Sequence, residues 1–536
     1  MFSFEVRNRD LLARIGKLGT KSGVVETPVY LPVINPSKQQ VTPRELREVF
    51  KCEALITNAY ILRKQFGEKP IQEGLRRFLG FPGVIMTDSG AYQTLVYGDV
   101  KISPDEIIRY QEEIEADIAT ILDVPTGWGV SKDHAQNTVN ETLKRAKELE
   151  ALKMREDIAW VGPIQGGRYI DLVAFSARET GKLPFQIHAL GSPTRVMEQY
   201  LFDLLVDMIL TSKMNLPLNR PLHLFGAGHP LMFSLAVAMG CDLFDSAAYS
   251  IYAKENRYMT EYRTFRLSEL EYLPCSCSVC TSSDLKDLRE MPDEDREEAL
   301  ARHNLHVCFS EMRKIKQSIV EGRLWEYVEM RATGHPSLLQ ALKKLRGYSD
   351  YIEQHSPVSK RKGIFYLGPV GLSRPEVTRH RKRILERYSP PQGADTLVLL
   401  PYFKRRSHKE NRLHKKFNEV RKLVAETPTV HTCIYSAPFG ITPIELEDVY
   451  PLSQTEVAYP PDAETLNYVT DQIKRYITRT GYHKVIIMSD PNSWEDEVAK
   501  KLNQIGREEG FTLETIGSES DLRNKDLIQR IVEKSS

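Results

Sequence analysis

Eight short apolar runs, each followed by polar or turn-forming residues, recur along the first 250 residues of this chain. Runs of this length bounded by turn residues are typical of buried strands. They are Pro28–Ile34, Ala54–Thr57, Gly83–Asp88, Ile118–Asp123, Trp160–Ile164, Phe185–Leu190, Leu222–Phe225 and Asp242–Asp245. Except between the last two, the intervals are long enough for a helix. Eight such units over roughly 250 residues predict an α/β fold, a closed (β/α)8 TIM barrel.

The residues that follow these runs are mostly polar residues and glycines. They are Asp88, Ser89, Gly90, Asp123, Gln165, Gly166, Gly167, Gly191, Ser192, the segment Gly226–His229, and Asp245. A doubly wound open sheet would spread them along a crevice. A barrel would bring them together at the face where barrel enzymes keep their active sites. Most of the eight runs are followed by polar residues or glycines. We therefore favour the barrel, with an active site that contains the three aspartates.

Composition and charge fit a multidomain, cytoplasmic protein. The chain has 536 residues and a formal net charge of +1, so overall charge does not indicate an acidic partner. The segment Met1–Asp10 is charged and lacks the apolar stretch of a signal peptide. Leu231–Cys241, the longest apolar helix candidate, is about half the length that spans a bilayer. We therefore expect no membrane role.

Three of the seven cysteines form the cluster Cys275-Ser-Cys277-Ser-Val-Cys280. In a chain without secretory features, such spacing indicates metal binding more often than disulfides. Three thiolates and one imidazole would complete a closed, structural Zn²⁺ site. His303, His306 and Cys308 are candidates for the fourth ligand. Unliganded cysteines in a surface loop are the alternative interpretation.

Five motifs occur together with this cluster and in a characteristic order. They are Thr87–Gln93, Ile121–Thr126, Pro163–Gly167, Leu224–Pro230 and Asp242–Tyr249. With them the chain resembles tRNA-guanine transglycosylases, specifically the archaeal type. Members of that family exchange a D-loop guanine of tRNA (position 15) for 7-cyano-7-deazaguanine, the precursor of archaeosine. The resemblance is dense over roughly residues 1–350 and looser beyond, and it favours His303 as the fourth zinc ligand.

The resemblance implies a role for two of the aspartates. Asp245 would be the nucleophile that holds the ribose in a covalent intermediate, as carboxylates can. Asp88 would protonate the leaving base and later accept a proton from the incoming one. This division of labour is similar to that of retaining glycosidases. An isolated Asp245 followed by Ser-Ala-Ala would otherwise be interpreted as a helix N-cap.

The resemblance also implies a base-binding pocket formed by Ser89, Tyr92, Asp123, Gln165, Gly166 and Gly191. Asp123 would accept hydrogen bonds from the ring N–H and exocyclic amine of a guanine-like base. The Gln165 amide and the Gly166 N–H would address its carbonyl, and Tyr92 would stack on it. Core packing for Tyr92 and a tight turn for Gln-Gly-Gly are the alternatives. Pro193 has no N–H, so any backbone donor after the sixth strand comes from a neighbour.

Basic and aromatic side chains suggest contacts with tRNA. Tyr249, Tyr252, Lys254, Arg257 and Tyr258 follow Asp245, a mixture that suits phosphate contacts and base stacking. The stretches Arg379–Arg383 and Lys404–Lys422 are strongly basic. A solvated basic helix face is the usual explanation for such stretches. For a tRNA-binding protein we favour an electrostatic track.

We place the catalytic domain at residues 1–350, with its zinc subdomain at about 271–310, and a smaller α/β accessory region at 363–536. Strands are predicted there at Ile364–Leu367, Thr396–Leu400, Thr432–Ser436 and Val485–Met488. Archaeal family members usually end in a PUA domain, and no such pattern precedes Ser536. We expect a separate PUA-domain protein to assist tRNA binding. By resemblance, the protein is a homodimer.

Three other functions compete with the transglycosylase. A non-catalytic tRNA-binding partner subunit would be marked by loss of a carboxylate, yet Asp88, Asp123 and Asp245 are present. An archaeosine synthase would carry a cysteine motif in the accessory region, where Cys433 stands alone. A glycosidase for free sugars would show a ring of aromatic subsite residues and would leave the basic stretches without a function.

Overall fold

The computed structural model describes residues 2–91, 102–402, 421, 424 and 427–516. The chain divides into two compact units, residues 1–357 and 358–536.

Eight parallel strands of the first unit close into a barrel in the order β10-β11-β4-β5-β6-β7-β8-β9. The strands are β4 (Val29–Ile34), β5 (Ala54–Asn58), β6 (Val84–Asp88), β7 (Ile118–Thr120), β8 (Ala159–Ile164), β9 (Ile187–Leu190), β10 (Leu222–Leu224) and β11 (Leu243–Ser246). All eight predicted strands, and the barrel they imply, are confirmed. The open sheet is excluded because β10 pairs with both β9 and β11, and β11 pairs with β4.

The barrel interior is an apolar core. The alternation of side chains along each strand determines where the inward-facing polar residues lie. Ala54 and Ile56 of β5, Val84 and Met86 of β6, and Leu243 of β11 belong to one buried cluster. Side chains two residues apart along a strand point to the same face. The next inward positions are Asn58, Asp88 and Asp245, at the carboxyl ends of their strands. The core therefore ends in a polar layer at the face where barrel enzymes carry out their chemistry.

Helices cover the outside of the barrel and continue beyond it. They are α1 (Pro43–Glu48), α2 (Ala59–Phe66), α3 (Lys69–Glu73), α4 (Leu75–Leu79), α5 (Pro104–Glu113), α6 (Lys132–Leu152), α7 (Ile170–Gly181), α8 (Thr194–Glu198), α9 (Phe202–Asn215), α10 (Phe233–Ala238), α11 (Ala248–Lys254), α12 (Ser278–Ser282), α13 (Leu285–Glu290), α14 (Asp293–Glu321), α15 (Leu324–Ala332), α16 (Pro336–Lys344) and α17 (Ser349–His355). A short hairpin, β12 (Arg257–Met259) and β13 (Thr264–Arg266), lies between α11 and α12.

The opposite end of the barrel is closed by an antiparallel sheet that the apolar pattern did not predict. Its strands are β1 (Ser3–Asp10), β2 (Ala13–Gly19) and β3 (Val24–Thr27). Leu18 and Val25 pack into the barrel core. Arg14 forms a buried bidentate pair with Asp242, at 3.1 Å (Nε to Oδ1) and 2.5 Å (Nη2 to Oδ2). Because Asp242 also accepts the Leu222 N–H, this pair joins the sheet to the amino-terminal ends of β10 and β11.

The second unit is a smaller α/β structure. Its strands are β14 (Ile364–Tyr366), β15 (Thr396–Pro401), β16 (Val430–Ser436), β17 (Gly440–Pro443), β18 (Thr455–Val457), β19 (Lys484–Met488) and β20 (Thr512–Ile516), and its helices include α18 (Pro375–Lys382), α19 (Ala463–Thr480) and α20 (Trp494–Glu509). Five strands form a sheet in the order β17-β16-β15-β19-β20, and β14 pairs with β18. The four predicted strands are all present. Among the described residues of both units, no helix is long and apolar enough to cross a membrane.

Candidate active site

Asp88 is the last residue of β6, beside Asn58 at the end of β5. Asn58 Nδ2 donates to Asp88 Oδ2 at 2.9 Å, while Asn58 Oδ1 caps α2 through the Ile61 N–H. Burial, and then the nearby carboxylates of Asp123 and Asp245, raise the pKa of Asp88 to about 7. Near neutral pH this carboxyl group can therefore either give or take a proton.

Asp245 lies on β11 with one carboxylate oxygen held and the other less engaged. The Gly226 N–H donates to Oδ1 at 3.0 Å. His223 Nε2 lies 2.9 Å from the same oxygen, although neither ring nitrogen makes a regular hydrogen bond within the described residues. His223 is fully buried on β10, with its ring 4.6 Å from that of Phe225. The Gly226 N–H and the His223 ring therefore both approach Oδ1, which leaves Oδ2 for other chemistry.

Asp123 lies three residues beyond the end of β7 and forms a pair with Gln165. Gln165 Nε2 donates to Asp123 Oδ2 at 2.5 Å. Gln165 Oε1 accepts from the Thr126 N–H and from the Ser192 hydroxyl, both at 3.0 Å. Burial raises the pKa of Asp123 to about 6, and the Gln165 hydrogen bond counteracts part of that effect. A primary amide carries two N–H donors, so Gln165 keeps one for a ligand.

The glycines of the site make room for this amide. A Cβ on Gly191 would lie 2.3 Å from Gln165 Nε2, and a Cβ on Gly166 would lie 2.6 Å from the Val173 nitrogen. The Gly166 N–H donates to Thr126 Oγ1 at 3.1 Å, and the Gly191 N–H to the Ile164 carbonyl at 2.9 Å. The Gly166 N–H, expected to face a base, is thus engaged inside the protein in this structure.

Two further predicted residues follow β6. Ser89 is fully buried, and its hydroxyl has no hydrogen-bond partner among the described residues. That hydroxyl is therefore available to a ligand beside Asp88. Tyr92 lies outside the described residues, so stacking by its ring remains a prediction.

A separate cluster of Cys275, Cys277, Cys280 and His303 could hold a metal ion, since one ligand atom from each lies within 4.8 Å of all the others. The Cys277 and Cys280 sulfurs are 3.6 Å apart, and His303 Nδ1 lies 3.5 and 3.4 Å from them. A tetrahedral zinc with 2.3 Å bonds separates its sulfur ligands by about 3.7 Å, so the geometry suits this metal. Of the candidates for the fourth position, His303 is the one in the cluster.

The surroundings of His303 orient it for coordination. Its Nε2 lies 2.8 Å from the Met259 carbonyl, which fixes the proton there and leaves Nδ1 for a metal. The Tyr258 ring stacks on the imidazole with centroids 3.6 Å apart. The adjacent Asn304 accepts from the Met259 N–H and donates to the Tyr249 and Arg257 carbonyls. The cluster and Asn304 thereby tie α14 to β12 and to α11, the helix that follows Asp245.

Comparison with known proteins agrees with this arrangement. The family model described as queuine tRNA-ribosyltransferase matches residues 10–337. A domain of unknown function, DUF5591, matches residues 377–528. The tRNA-guanine(15) transglycosylase of Methanocaldococcus jannaschii is 43% identical over 89% of this chain and 71% of its own length. Those of Pyrobaculum aerophilum (43%; 85% and 90%) and Saccharolobus solfataricus (42%; 91% and 97%) are similar over most of both chains.

The chain belongs to the queuine tRNA-ribosyltransferase family. The first family match covers the barrel and the metal cluster, and the second lies within the second unit. The family resemblance drawn from the sequence motifs is therefore confirmed.

Two of the five side chains expected to contact tRNA after Asp245 are buried in the structure, so this prediction is corrected. Tyr249 and Tyr258 are buried, because the Tyr249 hydroxyl bonds the Val33 carbonyl and Tyr258 covers His303. Tyr252 and Arg257 remain accessible, with the Arg257 guanidinium 3.9 Å from the Tyr252 ring centroid. Lys254 is exposed on α11. The surface that suits phosphate or base contacts is therefore smaller than the sequence suggested.

The structure bears differently on the two basic stretches that were predicted to contact tRNA. In Arg379–Arg383 the first two side chains are buried, and His380 Nε2 lies 3.0 Å from the Ile441 carbonyl. That stretch is thus partly structural. Lys404–Lys422 falls outside the described residues except Arg421, which pairs with Glu447. An electrostatic track along this stretch remains a prediction.

Proposed function

We propose that this protein exchanges the guanine at position 15 of tRNA for 7-cyano-7-deazaguanine, in archaeosine biosynthesis, through a covalent Asp245–ribose intermediate. The observation that carries the proposal is the inward convergence of Asp88 and Asp245 at one end of the barrel, in a family of tRNA-guanine transglycosylases. Asp245 presents one engaged and one less engaged carboxylate oxygen. Asp88 has a pKa close to neutrality.

In the first half of the reaction, Asp245 Oδ2 attacks C1′ of the ribose. The C1′–N9 bond breaks, its electron pair leaves with guanine, and protonated Asp88 supplies a proton to the departing base. The ribose is then esterified to Asp245 while the tRNA backbone stays intact. Oδ1, held by the Gly226 N–H and beside His223, keeps the carboxylate oriented for this attack.

In the second half, the incoming base occupies the place of guanine. Asp88, now a carboxylate, accepts a proton from its ring nitrogen, and that nitrogen attacks C1′. The ester bond breaks and Asp245 returns as a carboxylate, stabilised by the Gly226 N–H on Oδ1. One residue thus serves as acid and then as base, which a pKa near 7 permits.

Base recognition follows from the Asp123–Gln165 pair. Asp123 would accept the ring N–H and exocyclic amine of guanine, and the unused amide hydrogen of Gln165 would donate to the carbonyl. The Ser89 hydroxyl and the Tyr92 ring complete the proposed pocket. Gly191 contributes by leaving room for the Gln165 amide.

We assign Zn²⁺ to the cluster of three cysteines and His303, one ion per chain. The four protein ligands leave no open position, so the metal stabilises the fold and takes no part in the exchange. A homodimer, and a separate PUA-domain protein that assists tRNA binding, complete the proposal. Analytical ultracentrifugation tests the dimer, and tRNA affinity with and without an added PUA-domain protein tests the partner.

The deciding experiment is incorporation of radiolabelled guanine into unmodified tRNA transcript. We expect the wild-type protein to incorporate guanine, and Asp245→Asn to lose incorporation by at least about a thousandfold, because an amide is no nucleophile here. A wild-type tRNA adduct that survives denaturation and is absent from Asp245→Asn would identify the covalent step. Exposed Asp133→Asn is the matched control.

Two further arms complete this experiment. A tRNA with position 15 changed should not be labelled, and labelled 7-cyano-7-deazaguanine should be incorporated in place of guanine. Absence of wild-type incorporation, even with a PUA-domain protein added, would favour a non-catalytic tRNA-binding subunit.

A further inference from the structure

A pocket of about 320 Å³ lies in the second unit, outside the machinery described so far. This size is within the range of small-molecule and base-binding sites. Its walls include four aromatic and two acidic side chains. They are Tyr402, Phe439, Tyr459, Trp494, Glu447 and Glu495.

The pocket occupies the position where open α/β sheets bind ligands. Tyr402 follows β15, Ser436 ends β16, and Trp494 begins the helix after β19. The strand order is β17-β16-β15-β19-β20. From β15 the chain continues to β16 and β17 at one edge of the sheet, and from β19 it continues to β20 at the opposite edge. The point between β15 and β19 is therefore the topological switch point of the sheet, and ligands of such sheets bind outside the carboxyl ends of the strands there.

The aromatic walls suit a flat ligand. The Trp494 ring is held at 5.8 Å from the Tyr435 ring in an edge contact, and Tyr459 lies 6.3 Å away at 35°. Tyr435 itself is fixed by its hydroxyl, which donates to the Met488 carbonyl at 2.6 Å. Tyr459 is 54% exposed, so one side of this pair is open to a partner. An indole and a phenol at the mouth of a pocket form a stacking platform for a base.

The acidic side chains of the pocket limit which flat ligands it can bind. Burial raises the pKa of Glu495, and hydrogen bonds with the side chains of Ser493 and Trp494 counteract part of that effect. Glu447 is already paired with Arg421. A carboxylate has about four acceptor sites, so Glu495 can still accept a further N–H from a ligand, and an anionic phosphate would be repelled.

We propose that this pocket holds one unstacked nucleobase of tRNA, stacked on the open side of the Trp494–Tyr459 pair, with an N–H edge of the base donating to Glu495. The identity of the polynucleotide rests on the proposed function. The pocket would then help to hold a tRNA whose D-arm must open for the exchange. A free base has the same chemistry as a base of tRNA, and the test below distinguishes these two ligands.

The test compares Trp494→Ala, Trp494→Phe and Glu495→Gln in the full-length protein. Filter binding measures the affinity for labelled, unmodified tRNA transcript without requiring activity. We expect Trp494→Ala to weaken binding roughly tenfold, since stacking on one aromatic is worth that much. Trp494→Phe should lose less than about threefold, and Glu495→Gln should fall between the two. Leu367→Ala, 53% exposed in the same unit, is the control, and melting curves verify folding.

Three outcomes are distinguishable. A tRNA affinity that falls in Trp494→Ala and is restored in Trp494→Phe supports the proposal, whether or not the protein exchanges guanine. A change confined to the KM for free guanine would assign the pocket to the free base and overturn the tRNA assignment. Equal tRNA affinity in all variants would overturn the proposal even if wild-type exchange is robust.

Discussion

At the scale of single residues, the informative contact is between His223 and Asp245. A carboxylate nucleophile has two equivalent oxygens unless its surroundings distinguish them. Here the Gly226 N–H and the His223 imidazole both approach Oδ1, and the imidazole is fully buried. Nothing in the sequence motif drew attention to His223, because a histidine inside an apolar strand is usually packing. The structure places it beside Asp245, the proposed nucleophile.

We expect His223→Asn to lower kcat for guanine exchange roughly 10- to 100-fold if the imidazole donates to Asp245 during the reaction, as hydrogen bonds to charged groups contribute about that much. Asn is too short to bring its amide to the position of Nε2, whereas Gln can reach it. His223→Gln should therefore recover most of the loss.

Melting curves of both His223 variants would establish that they fold. Equal rates for the Asn and Gln variants, or a change in KM alone, would show that His223 acts only by filling space.

The second residue-scale prediction concerns the stability of the protein against pH. The pKa of Asp88 is about 7 in the folded protein and near 3.9 in an unfolded chain. Between these values the unfolded chain has released the proton and the folded protein still holds it, so stability falls as pH rises and levels off above pH 7. Asp88→Asn removes this loss and should stabilise the protein by roughly 1–3 kcal/mol at pH 8.

The measurement is urea unfolding at pH 5 and pH 8, with exposed Asp133→Asn as the control. The gain for Asp88→Asn should be larger at pH 8. A gain of equal size at both pH values would contradict a raised pKa for this carboxyl group. A carboxyl group whose raised pKa serves activity lowers the stability of the folded protein. Replacing it should therefore give a variant that is inactive but more stable.

At the scale of elements, the barrel could be predicted because parallel strands buried on both faces are near-continuous apolar runs. The strand ends then located Asp88 and Asp245. The sheet β1–β3 escaped prediction because β1 is mostly exposed and carries no apolar run. Its attachment depends on the long-range Arg14–Asp242 pair, and such tertiary contacts leave no local pattern.

Side-chain environments were harder to predict than strands. Tyr249 and Tyr258 have the composition of a nucleic-acid surface, yet α14 packs against α11 and β12 and buries both. The Gly166 N–H bonds Thr126, a residue 40 positions away along the chain. Sequence spacing can place a residue at a strand end, but its neighbours depend on loops from other strands. The three cysteines of the cluster were predictable because metal coordination fixes both residue type and spacing, whereas spacing left the fourth ligand open and the family resemblance favoured His303.

At the scale of the whole molecule, the two units have separate apolar cores. Val84, Met86 and Leu243 belong to the barrel core, whereas Leu399 and Ile487 belong to the core of the second sheet. The cluster of three cysteines and His303 joins α14 to β12 and α11, which all belong to the first unit, so a metal bound there would stabilise that unit. Loss of the metal should therefore destabilise the first unit selectively.

Cys277→Ser tests this expectation. We expect it to lose one zinc equivalent per chain, measured by mass spectrometry, and to lower the melting temperature, because metal binding contributes directly to the folding free energy of such sites. Hydrogen exchange should accelerate in peptides from α14 and β12 and stay slow in β15 and β19. Cys308→Ser, an equally buried cysteine of α14 outside the cluster, should keep its zinc. Equal loss of protection in both units would mean that the metal stabilises the molecule as a whole, and unchanged zinc content in Cys277→Ser would refute the ligand assignment.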